Sequence, residues 1–174
     1  SPFFLINMML GDIVEAVFKG LLRASKVEFE DSEHTTLETK RKKVEGTYDL
    51  VLNGKVDDIK SASSWSYDNK FVDFETLKSK DSFGYVAQLV GYAKARGVPV
   101  GGWWVINKAN GNFKYVGADT VDMDEELKKI DETIDYLEDD KPFERCYEPV
   151  EETYYGKPSG NKKLGIECSF CNYR

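Results

Sequence analysis

Apolar residues recur at helical spacing near the start of the chain. Leu10, Ile13, Val14, Val17, Phe18, Leu21 and Leu22 predict a helix over residues 5–25. Lys26–Glu30 alternate as a strand does, Asp31–Glu33 read as a turn, and Thr35–Glu45 read as a second strand. Two short apolar runs then flank Asn53-Gly54. That dipeptide predicts a type I′ hairpin, because the turn needs positive φ at both central residues. A two-residue turn fixes the register: Leu52 faces Lys55, Val51 faces Val56, Leu50 faces Asp57, and Asp49 faces Asp58. Residues 64–80 hold Trp65, Tyr67, Phe71 and Phe74 without a clear period, and read as a loop with a short turn of helix. Residues 82–96 predict a second helix, capped by Asp81 or Ser82 and ended by Gly97-Val98-Pro99. Val98–Lys108 is an apolar strand that turns at Asn110-Gly111-Asn112 into a return strand, Phe113–Gly117. Residues 122–137 form an amphipathic helix with Leu127, Ile130, Ile134 and Leu137 inward. This order predicts an α/β layer fold with a mixed sheet. Past residue 140 the pattern loosens, and Tyr154–Lys163 reads as a flexible connection.

Composition supports a globular fold. The 174 residues are 41% apolar and 13% aromatic, enough for one domain with a real core and too much for disorder. No apolar run approaches the length of a membrane span. The apolar opening, Ser1–Leu10, lacks a basic leader and a cleavage site, so it does not read as a signal peptide. Three cysteines do not make a disulfide framework. The net charge of −7 is unevenly spread: residues 119–152 hold 15 acidic and 4 basic residues, leaving the remainder at +4. That remainder includes the run Lys40-Arg41-Lys42-Lys43, which reads as a solvated strand or loop end and is also compatible with phosphate contacts.

The candidate chemistry gathers on the central hairpin. Side chains alternate along a strand, so Asp58 and Lys60 share a face with Asp49, and Asp57 points the other way. Two close carboxylates repel unless one is protonated or a cation lies between them. A hard divalent ion takes carboxylate, carbonyl and water oxygens. Taken alone, the pattern reads equally as a charged solvent face. Gly11 and Glu15 share one face of the first helix, where Glu15 either reaches water or faces a metal. Gln88 and Tyr92 lie one turn apart, placed to bind a phosphate or a base, or to pack structurally. Cys168-Ser-Phe-Cys171 reads as half of a zinc or iron–sulfur site with Cys146 as a third ligand, or as free thiols in an irregular tail.

Taken together and in order, Gly11-x-x-x-Glu15, Gly46-Thr-Tyr-Asp49, Asp58-Ile-Lys60 and Gln88-x-x-x-Tyr92 resemble the PD-(D/E)xK nuclease superfamily. The match is to the RecB-like branch, which includes phage exonucleases and CRISPR-associated nucleases with C-terminal cysteines. The resemblance implies a restriction-endonuclease-like core over residues 1–140, with a central mixed sheet flanked by helices, and an irregular C-terminal tail over 141–174. It implies a DNA nuclease, an exonuclease by preference. Glu15, Asp49, Asp58 and the carbonyl of Ile59 would hold Mg²⁺ or Mn²⁺, Lys60 would assist catalysis, and Gln88 and Tyr92 would orient the DNA. It is compatible with a homo-oligomer and a location in bacterial or phage-infected cytoplasm. Many members place a histidine on the first helix; here the one histidine is His34, and Glu15 takes that role. Members with an iron–sulfur cluster use four cysteines, against three here. The alternative is a non-catalytic nucleic-acid-binding module on the same fold.

Overall fold

The helix expected at the start of the chain is α1 (Pro2–Ala24). The computed structural model describes residues 2–139, 142, 146–165 and 168, which fall into two units, residues 1–138 and 139–174. In the first unit α1 is followed by β1 (Glu33–Glu38), β2 (Lys43–Tyr48), β3 (Leu50–Leu52) and β4 (Lys55–Ala62). Then come α2 (Ser64–Asn69), α3 (Phe74–Ser79), α4 (Tyr85–Arg96), β5 (Val100–Asn107), β6 (Phe113–Gly117) and α5 (Met123–Glu138).

The fold is mixed α/β. A central sheet of order β3-β4-β5-β6 pairs β4 with β5 in parallel and its other neighbours antiparallel, and helices flank it. The hairpin register is the expected one, Leu52 opposite Lys55, Val51 opposite Val56 and Leu50 opposite Asp57. Asn53 and Gly54 both carry positive φ, at 51° and 73°, as a type I′ turn requires.

One sheet face packs on α1, where Phe18 meets Leu50, Leu52 and Ile59. The other carries the larger core, with Val56, Trp103 and Val105 against Leu77 of α3 and Val86, Leu89 and Val90 of α4. The expectation for α1 holds only in part. Ile13, Val17 and Leu21 are 56–57% exposed and, with Ile6 and Met9, form an outward apolar stripe. The helix is apolar over a wider arc than the sheet covers.

Four segments differ from expectation. Lys26–Glu30 is no strand; it meets the sheet at one bridge, Glu30 to Val51. The single strand expected over Thr35–Glu45 is a hairpin of β1 and β2. Its turn is closed by Thr39, whose hydroxyl donates to the Lys42 carbonyl at 2.6 Å and accepts from the Lys42 N–H at 3.1 Å. Residues 64–80 hold two six-residue helices, α2 and α3, capped by Ser63 and Asp73. In the second unit the expected flexible connection is an antiparallel hairpin of β7 (Val150–Tyr154) and β8 (Lys157–Lys163). It turns at Tyr155-Gly156 with positive φ at both.

The basic run is answered within the chain. Lys40, Arg41 and Lys42 pair with Asp131, Asp135 and Glu138 of α5 at 3.7, 3.0 and 2.5 Å. These three cations therefore serve the acidic helix. Among the described residues, no helix is long and apolar enough to cross a membrane.

Candidate functional site

β4 carries two chemistries on its two faces. Asp58 and Lys60 point toward α4, and Asp57 and Ile59 toward the α1 side. The side chain of Asp58 is 5% exposed, and the Lys60 ammonium lies 2.9 Å from its Oδ1 and 2.8 Å from its Oδ2. The ammonium thus straddles both oxygens of a carboxylate that is otherwise buried. Asp49 does not form the fourth rung of the hairpin, because strand pairing is interrupted at this residue, between β2 and β3. Its carboxylate instead crosses to β4 and accepts the Ile59 N–H at 2.6 Å. Of Ile59, it is thus the N–H that touches a site carboxylate.

Burial dominates the electrostatics. It pushes the Asp49 carboxyl up to about 7, with the Asp58 charge adding to the shift and the Ile59 N–H opposing it. Burial raises Asp58 too, against the pull of Lys60. For Lys60 burial works downward, but the attraction of Asp58 outweighs it and the ammonium is held more firmly than usual. The site is short of positive charge.

Glu15 stands close enough for its charge to raise both Asp49 and Asp58. Its carboxylate is bonded to Lys19 at 2.6 Å, and Lys19 also pairs with Asp31 at 2.8 Å. On α4 the Gln88 amide donates to the Tyr92 hydroxyl at 3.2 Å. Tyr92 is seated against Gly46 of β2, where a Cβ would come within 2.7 Å of the ring. A groove of about 270 Å³ between the β1–β2 hairpin and α4 is lined by both residues, Leu37, Val44 and Ile130 among others.

Asp57 is turned away from the site as expected, and it is far from idle. Its carboxylate accepts from the Gly102 N–H at 2.8 Å, the Trp104 indole at 3.0 Å and the Tyr115 hydroxyl at 2.9 Å. The β4–β5 register shifts between Val56 and Asp58, and Gly101-Gly102 lies at that bulge. A Cβ on Gly101 would fall 1.9 Å from Asp57 Oδ1. The Gly-Gly pair inside an apolar strand was the available signal for this close approach. Tyr85 was also missed: the Lys60 ammonium lies 5.0 Å from its ring centroid.

The remaining candidates lie elsewhere. His34 stands exposed in β1 opposite Thr47. Cys146 and Cys168 are free thiols in the second unit, and Cys171 lies outside the described residues. Among the described residues, no three His, Cys, Asp or Glu side chains are gathered to hold an ion. The ligand set of Asp49, Asp58 and Glu15 is nonetheless all hard carboxylate oxygen with charges close enough to repel, which suits a divalent ion.

Neither a family model nor a curated protein matches the chain. The crystal structure of SSO0001 is similar to it, with 20% sequence identity and a TM-score of 0.48 over 79% of this chain and 63% of that chain. The chain therefore spans less than two-thirds of that protein's length. A likeness of this degree adds nothing to the reading of the site.

Proposed function

We propose that the chain is a metal-dependent DNA nuclease, an exonuclease by preference, that hydrolyses phosphodiester bonds. The carrying observation is Asp58: a buried carboxylate ion-paired to Lys60 and close enough to a second buried carboxylate, Asp49, for its charge to act on it. Asp49 and Asp58, joined by Glu15 and the Ile59 carbonyl, would hold Mg²⁺ or Mn²⁺. A divalent ion there supplies activation of water and neutralises charge on the phosphate. Lys60 faces the phosphate, positions the attacking water and offsets the charge that develops on the phosphoryl oxygens. Tyr92, held by Gln88 and seated on Gly46, orients the substrate backbone beside it.

The test is digestion of linear, end-blocked, nicked and single-stranded DNA by the purified protein. Wild type is expected to cut with Mg²⁺ or Mn²⁺ and to stop with chelator, and Asp58→Asn is expected to be inactive. End-blocking separates exonuclease from endonuclease action. A wild-type protein that binds DNA and cuts none of these substrates with either ion would refute the reading and leave the binding module.

A further inference from the structure

The structure has two buried lysines among the described residues, and they are treated differently. Lys19, 5% exposed, is matched by Glu15 and Asp31. Lys70, 9% exposed at the end of α2, pairs with no carboxylate. Its ammonium lies over two aromatic rings, 4.4 Å from the Tyr85 centroid and 5.2 Å from the Phe83 centroid. Asp81 is near enough for its charge to act on Lys70 but forms no ion pair with it; its carboxylate oxygens accept the N–H groups of Tyr85 and Val86 at the start of α4. Lys114, which also lies over a ring, differs in donating to the Tyr67 carbonyl at 2.6 Å.

A lysine with this little exposure and no paired anion is costly, and aromatic faces compensate only in part. Among the described residues Lys70 thus lacks an ion-paired anion, and its place suggests which one. Lys60 and Lys70 both lie over the Tyr85 ring, at 5.0 and 4.4 Å from its centroid. The two ammonium groups are therefore closer than the sum of those distances, within reach of consecutive phosphates on one strand. Lys60 has its carboxylate in Asp58, and Lys70 has none.

We propose that Lys70 binds the DNA phosphate next to the one faced by Lys60, both ammonium groups lying over the Tyr85 ring. The identity of the ligand as a nucleic-acid strand rests on the nuclease reading; the missing anion does not. Lys70 is a binding residue in this scheme, and the bond-cutting groups remain those around Asp58.

The experiment compares wild type, Lys70→Met and Lys70→Arg, with Met keeping the apolar stem and Arg the charge. Binding of a fluorescent DNA oligonucleotide is measured by anisotropy in Ca²⁺ across a salt series, and cleavage by steady-state kinetics in Mg²⁺. Lys70→Met is expected to weaken binding about tenfold and to reduce the salt slope by about one, the signature of one lost phosphate contact. KM rises and kcat stays within about twofold, and Lys70→Arg restores affinity and slope. A Lys70→Met protein with unchanged affinity and slope overturns the proposal, as does a loss of melting temperature with the slope intact. A wild type that binds without cutting overturns the nuclease reading alone, since the slopes still report on Lys70. A wild type that binds no DNA overturns both.

Discussion

Replacing Asp49 by asparagine should make the metal-free protein more stable while abolishing its activity. Asparagine keeps an oxygen to accept the Ile59 N–H, so the 2.6 Å hydrogen bond has a successor. What disappears is a carboxylate that burial and the Asp58 charge hold at about 7 instead of 3.8. At about 1.4 kcal/mol per tenfold change in proton affinity, that difference sets an upper limit of roughly 4 kcal/mol at pH 8. Asp58 shares the repulsion and takes up part of the relief, so a gain of about 1–3 kcal/mol is expected. For a domain of this size that is roughly 2–10 °C in melting temperature. The sign follows from proton counting. Between pH 3.8 and about 7 the native wild type binds more protons at Asp49 than the unfolded chain does, so its stability falls as pH rises through that window. The advantage of Asp49→Asn should therefore be largest at pH 8 and vanish near pH 4. The assay is thermal melting in chelator at several pH values, followed by the same series with excess Mg²⁺, which should restore the wild type selectively. A variant no more stable than wild type at pH 8, or one whose advantage persists unchanged at pH 4, would refute the electrostatic account.

Three further outcomes are expected. Asp57→Ala leaves the Gly102 N–H, the Trp104 indole and the Tyr115 hydroxyl without their acceptor, and should cost about 3–5 kcal/mol in urea unfolding; a loss under 1 kcal/mol would contradict the anchoring role. Gly46→Ala sets a Cβ 2.7 Å from the Tyr92 ring, so it should cut DNA cleavage by about tenfold for a stability loss near 1 kcal/mol, read by kinetics beside a melting curve. Asp31, lowered to about 2 chiefly by its hydrogen bond from Lys19, contributes stability that is fully present above pH 3.8 and is lost as pH falls through about 2. The group is half-exposed, so the difference between wild type and Asp31→Asn should stay below about 1 kcal/mol and fade across that acid range.

The parts of the fold written in short-range signals were legible. Asn53-Gly54 set the register through Leu50 and Asp57, and Gly97 marked the end of α4; its start lies at Tyr85, not at 82, with Gly84 at the cap and Asp81 accepting the first N–H groups. The missed elements lack such signals. The β1–β2 turn has no Gly or Pro; the Thr39 side chain closes it, and four consecutive cations hide it in a strand-like run. Helices α2 and α3 span six residues each, too few for a period, although their caps Ser63 and Asp73 were visible as residue types. Tyr155 adopts positive φ without being Gly or Asn, so the β7–β8 hairpin read as a flexible segment. At the site, strand alternation correctly separated Asp57 from Asp58. The Asp49–Ile59 bond was not legible, because it depends on a break between strands. Nor was the Lys70–Tyr85 contact, which joins elements that only tertiary packing brings together.

The adjacency of Asp57 and Asp58 constrains how this chain can change in length. A residue inserted between Gly54 and Asp57 would move Asp57 into the place of Asp58, but Val56 would then face the three donors around Gly102 and Ile59 would replace Lys60. A deletion there would keep an acceptor for those donors and put Ile59 where the buried acid belongs. Either slip preserves one carboxylate position and empties the other. Variants of this chain that both fold and act should therefore accommodate insertions in the turns at 39–42 and 108–112, and keep the count from Asn53 to Ala62 fixed.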